Sequence, residues 1–129
     1  MTRRNAILMC AVVGACGLMI GAAITYRLDI AIWRDRALAA YGMAMQANDA
    51  GKQDEAIILL SQAIIANPNN YEPLSLLANL FWHRGNRQLA LELYRKALDV
   101  ADKQHGITRI ERNAIRGKID ILQKQVGGG

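Results

Sequence analysis

Gly51-Lys52-Gln53-Asp54-Glu55-Ala56-Ile57, followed by Ala63 and closed by Asn67-Pro68-Asn69-Asn70, is the stretch on which the fold turns. A glycine accepts the left-handed conformation that ends a helix, so Gly51 marks a stop. Asp54 and Glu55 then stand in the first turn of a new helix, where negative charge complements the dipole. Ala56 and Ala63 are seven residues apart and share a face on which a second helix can approach closely. Pro68, just past the apolar run, prevents that helix from continuing. The pattern is helix, tight turn, helix, stop.

The same pattern recurs. Residues 37–70 laid over 71–104 give a period of 34 with four identities, Ala44/Ala78, Gly51/Gly85, Ala56/Ala90 and Ala63/Ala97. All four are small residues, at the places where two helices must approach or turn. Met43/Leu77, Ile57/Leu91, Leu59/Leu93 and Leu60/Tyr94 match in kind. Asn86 is placed to cap the helix after the second turn. Pro68 and Pro73, the two prolines, bracket the connection between the units. No alternation of strand type competes with the helical spacing.

The segments resemble tetratricopeptide repeats. Leu74, Leu77, Ala78 and Phe81 stand where that family's first helix places its large-large-small-aromatic pattern, and Gly85, Ala90, Tyr94 and Ala97 continue it. The resemblance covers about residues 37–104. It departs at Ala40 and Ala47, where the family has large residues, and at Asp102, where it has a terminating proline. It implies a groove lined by the first helix of each unit and filled by a protein or peptide. By that alignment the groove holds Leu38, Tyr41, Met45, Leu76, Asn79, Trp82 and His83. The family's chaperone-tail binders clamp a carboxylate with lysine, arginine and asparagine. Of these only Asn79 has a counterpart, which puts that ligand in doubt. Trp82 reads either as a groove anchor or as packed against the last helix.

Downstream, Thr108-Arg109-Ile110-Glu111 is a capping box. It opens a helix of about residues 109–125 that lacks the repeat pattern and reads as a cap on the stack. Gly127-Gly128-Gly129 reads as a frayed end. Arg109, Arg112 and Arg116 share one face of this helix. They imply either a solvated outer surface or contact with anionic lipid or an acidic partner.

Upstream, residues Ala6 to Tyr26 are 21 in a row without charge, 17 of them apolar. Such a run is about 31 Å long as a helix and predicts a membrane anchor. A cleaved signal peptide ending near Gly21-Ala22-Ala23 and a lipoprotein signal at Cys16 are the competing readings. Cys10, Gly14, Gly17 and Gly21 fall on one stripe of the run and predict a face for packing on other membrane subunits. With no Gly or Pro between Gly21 and Gly42, the span is expected to continue into the first repeat helix.

The composition fits this division. The chain has 129 residues, 52% hydrophobic, with 16 Lys+Arg against 11 Asp+Glu. The apolar excess lies in the N-terminal run and the basic excess in the two ends. The whole reads as all-α: a tail and transmembrane helix over 1–27, a helical linker over 28–36, two repeats at 37–70 and 71–104, a basic capping helix over 105–126, and a frayed tail over 127–129. No phosphate loop, paired-histidine or paired-cysteine motif is present, so no enzyme, metal or cofactor is expected, and no nucleic acid. The expected function is an accessory or scaffold subunit of a membrane complex. The alternative is an assembly factor or chaperone that binds clients transiently. The expected location is a bacterial inner membrane, crossed once, with the N-terminus cytoplasmic and the repeats periplasmic. Arginines on both sides of the run leave the opposite orientation open.

Overall fold

Helix α1, Arg3–Asp49, leads a chain of five α-helices. α2 is Gln53–Ala66, α3 Tyr71–His83, α4 Arg87–Lys103 and α5 Arg109–Gly127. The computed structural model describes residues 3–128, with side chains from Thr25 onward. The chain divides into two units, Met1–Arg34 and Asp35–Gly129.

The expected transmembrane helix is corrected. Among the described residues no helix is long and apolar enough to cross a membrane. From Thr25 onward α1 carries Arg27, Asp29, Arg34, Asp35 and Arg36, a density of charge that a hydrocarbon core does not accept. Most of the uncharged run, with Cys10, Gly14, Gly17 and Gly21, lies outside the residues whose side chains are described. The fold is therefore all-helical without an established span. In the first unit the described side chains of Tyr26, Leu28, Ile30, Ile32 and Trp33 are all exposed.

The second unit is built as its small residues dictate. Gly51 and Gly85 take φ of +75° and +82° and end α1 and α3, as the sequence predicts. The N–H of Asn86 then closes back on the Phe81 carbonyl at 2.9 Å. The Asn86 side chain accepts the Leu89 N–H, which caps α4. Asn70 caps α3 in the same way through the Glu72 N–H. Pro73 falls inside the first turn of α3, where a missing N–H costs nothing because that donor has no partner within the helix. The capping box at Thr108 is complete, and α5 runs on through Gly127 instead of ending near residue 125.

Two buried clusters hold these helices together. Ala44 and Ala47 of α1, Ala56 and Leu60 of α2, and Leu77 and Leu80 of α3 form the first. Ala78 of α3, Ala90, Leu91, Tyr94 and Ala101 of α4, and Ile115, Ile119 and Leu122 of α5 form the second. The three repeated alanine positions, Ala44/Ala78, Ala56/Ala90 and Ala63/Ala97, are fully buried in both copies. A methyl group at each lets the helices approach so closely that one added methylene would cost about 1–3 kcal/mol. Phe81 and Leu93 touch both clusters and join them. Arg84 ties the turns together: its Nη2 lies 2.6 Å from Asp54 Oδ1, and its Nε donates to Gln53 Oε1 at 3.3 Å.

Candidate protein-binding face

α1, α3 and α5 of the second unit each present side chains to a candidate face. Their neighbourhood is set by side-chain pairs at two places along it. At one, the Tyr71 hydroxyl at the start of α3 is close enough to the Glu111 carboxylate at the start of α5 to interact with it. Tyr41 of α1 and Glu72 of α3 are close enough to interact electrostatically with the same hydroxyl. At the other, Lys118 of α5 donates from Nζ to Asn79 Oδ1 of α3 at 3.1 Å.

The acidic place shows its chemistry in its ionisations. Burial first, and the Glu72 charge second, push the Tyr41 hydroxyl above its ordinary range. Tyr71 rises for the same first reason, helped by the charges of Glu111 and Glu72. Glu111 moves the other way. The Thr108 backbone N–H and hydroxyl both donate to its carboxylate at 2.8 Å and hold it below the usual range.

The second place is a polar node under the face. The hydroxyl of Tyr94, wholly buried in α4, donates to the same Asn79 oxygen. Burial pushes that hydroxyl far above its ordinary range. Lys118 Nζ stands 5.4 Å from the Tyr94 ring centroid, a cation over an aromatic face. Its partial burial lowers its own ionisation. Trp82 meets the Tyr94 ring edge-on, 6.3 Å between centroids at 90°.

These contacts locate each expected groove residue. Leu38 and Met45 on α1 are 66% and 45% exposed. Tyr41 lies between them, half-buried against the first cluster. Leu76 is also half-buried there, and Asn79 is committed to the node. Trp82 is half-buried against the second cluster and meets Tyr94 of α4. His83, the last residue of α3, is exposed.

The basic residues of α5 are partly engaged at home. Arg112 Nε and Arg116 Nη2 each lie 3.8 Å from Asp102 Oδ1. Arg112 Nη2 also donates to the Ile107 carbonyl at 3.4 Å. Asp102 thus ties the end of α4 to α5. Arg109 is exposed. Lys118, Tyr71 and Glu111 belong to the face and were missed from sequence. The available signal was Tyr94 itself: a buried phenol needs a partner for its hydroxyl.

No family model matches the chain. Over 76 residues, 59% of the chain, it is 26% identical to tetratricopeptide repeat protein 8 of Caenorhabditis elegans. The match spans 15% of that protein's length. This similarity and the five-helix architecture fit a tetratricopeptide-like fold, which suggests protein–protein interaction.

Proposed function

We propose that this chain is a non-enzymatic adaptor that holds a polypeptide segment of a partner protein on the α1/α3/α5 face, as a scaffold or accessory subunit of a larger assembly. One observation carries the reading. Leu38 and Met45 are exposed on the same side of α1 as half-buried Tyr41, and α3 continues that side with Leu76 and the Asn79–Lys118 pair. Apolar side chains beside a few fixed polar groups are the make-up of a recognition surface, with aromatic residues as anchors.

The test places a photo-crosslinking residue at Met45 in one chain and at Ile58 in another. Ile58 is exposed on the side of α2 opposite Ala56, Leu60 and Ala63. The Met45 chain is expected to give one defined adduct in native extract, lost when Leu38→Glu or Leu76→Glu is added. Equal yield from Ile58, or an adduct indifferent to those substitutions, sinks the reading. Recovery of the adduct partner in equal amount marks a standing subunit, and substoichiometric recovery marks a transient client.

A further inference from the structure

Exposed apolar surface is concentrated in one short segment of the first unit. Tyr26, Leu28, Ile30, Ile32 and Trp33 are each between 48% and 68% exposed. Single exposed apolar residues are ordinary, but a run this dense marks an interaction surface. Tyr26, Ile30 and Trp33 follow one another at i, i+4 and i+7 and share one side of α1.

Two cations flank that side. Arg27 and Arg34 are both exposed and lie seven residues apart, so they share a flank, whereas Asp29 falls on the far side of the helix. Arg27 and Arg34 line a surface notch of ≈ 230 Å³ together with Ile30 and Ala31, so the two charges bracket an apolar floor. Neither forms an ion pair among the described residues. Arg84, Arg112 and Arg116, by contrast, each lie beside an acid of the second unit.

The side-chain chemistry selects the occupant. Tyrosine and tryptophan join an apolar body to a hydrogen-bonding tip, and arginine lays an apolar stem along a surface while its charge stays in water or on an anion. A protein groove covers one stripe of a helix and would leave Leu28 and Ile32, on the side away from Tyr26, in water. Arg27, Asp29 and Arg34 exclude the hydrocarbon core of a bilayer but suit its boundary, where aromatic residues collect and phosphates carry negative charge. We propose that the Tyr26–Arg34 segment seats in the headgroup region of an anionic phospholipid surface, with Ile30 and the two aromatic rings toward the acyl boundary and Arg27 and Arg34 on lipid phosphates. This is contact with the surface and requires no crossing of the bilayer. It uses none of the residues of the α1/α3/α5 face, so the two readings stand or fall separately.

The test uses the full chain with vesicles of phosphatidylcholine, with and without phosphatidylglycerol, and reads the fluorescence of Trp33. A Trp33→Phe chain, changed at an exposed position outside both buried clusters, supplies the Trp82 signal to subtract. Trp33 emission is expected to shift to the blue on vesicles containing phosphatidylglycerol. Bromine near the headgroup end of the acyl chains should quench it more than bromine near their methyl ends. Arg27→Glu/Arg34→Glu should weaken the response at least about tenfold, since each arginine near such a surface contributes about fivefold in affinity. Arg27→Lys/Arg34→Lys, which keeps the charge, should retain it. The readout is local to Trp33, so attachment of vesicles by another part of the chain does not imitate it. No shift of Trp33, stronger quenching by the deeper bromines, an equal response on neutral vesicles, or a response indifferent to charge reversal would each overturn the proposal. A like shift produced by single-stranded RNA without lipid would assign the arginines to nucleic acid and overturn it as well.

Discussion

Replacing Asn79 with alanine should cost more than removing the hydroxyl that donates to it. Asn79 Oδ1 accepts from two groups, the Tyr94 hydroxyl and Lys118 Nζ. Tyr94→Phe deletes one donor and keeps the buried ring, its edge-on contact with Trp82 and its place under Lys118. Asn79 still holds Lys118, so the loss is that of one ordinary hydrogen bond, about 1 kcal/mol. Asn79→Ala instead leaves the Tyr94 hydroxyl buried without its acceptor, at about 1–3 kcal/mol. It also takes the amide away from a half-buried ammonium. With both changes the stranded hydroxyl is gone, so the double variant should be no less stable than Asn79→Ala alone. The expected coupling is therefore about 1 kcal/mol.

Urea unfolding of the four chains, followed by far-ultraviolet circular dichroism, measures this directly. For a unit of this size 1 kcal/mol is a shift of about 4–8 °C in Tm, so thermal melts give a second reading. Independent sites add to within about 0.3–0.5 kcal/mol. Additivity to that tolerance would refute the node, as would a Tyr94→Phe chain less stable than Asn79→Ala.

Three further outcomes follow from single features. Gly85→Ala should destabilise by about 1–2 kcal/mol. The cost is conformational, because φ there is +82° and an added Cβ meets nothing within 4 Å; the check is a urea midpoint shift, with Gly85→Asn milder. Thr108→Ala should cost about 1 kcal/mol through the lost cap. Hydrogen exchange should rise across the first turn of α5. The same change should flatten part of the acid side of the stability profile: the Thr108 backbone N–H, which alanine keeps, and then its hydroxyl hold the Glu111 carboxylate low, and that stabilisation is present above the ordinary carboxylate range and lost as pH falls through the lowered value. On the alkaline side, Tyr41, Tyr71 and Tyr94 are all raised above 10.0. The unfolded chain therefore ionises first, and stability should fall as pH climbs past about 10, with Tyr94→Phe removing the steepest part. Lys118 acts in the opposite sense, since its ionisation is lowered by burial and the cost of its charge is relieved as pH rises toward 10.5.

The repeat scaffold was legible because it rests on residues whose effect is local. Gly51 and Gly85 are demanded by the sign of φ, and the alanines by the spacing of packed helices, so a period of 34 carries both. The N-terminal reading failed for the complementary reason. An apolar run is judged by length, but a span depends on the helix that contains it. α1 carries Arg27, Asp29, Arg34, Asp35 and Arg36 over its described part, and no described helix meets the requirement. Trp82 shows the same limit at one residue. Its position on α3 suits either the face or the interior, and only the folded structure shows it half-buried with its ring on the edge of Tyr94.

The proposed face was half legible, and the period explains which half. Met45 and Leu60 of the first repeat become Asn79 and Tyr94 in the second. Read alone, Leu60/Tyr94 is a match in kind, two large residues at one position, and both are fully buried. Read together with Met45/Asn79, it is a coupled change. The first repeat has an apolar pair that needs no partner. The second has a buried hydroxyl that requires an acceptor, and asparagine supplies it. That oxygen has a second lone pair, which Lys118 takes from 39 residues away. Sequence spacing within a repeat can show the first step of this chain, because the two positions lie in the same hairpin. It cannot show the second, because α5 carries no repeat pattern from which its register on α3 could be read. The lysine is fixed by packing of Ile115, Ile119 and Leu122 within the second cluster, and this packing turns a repeat-level substitution into a polar node beneath the candidate face.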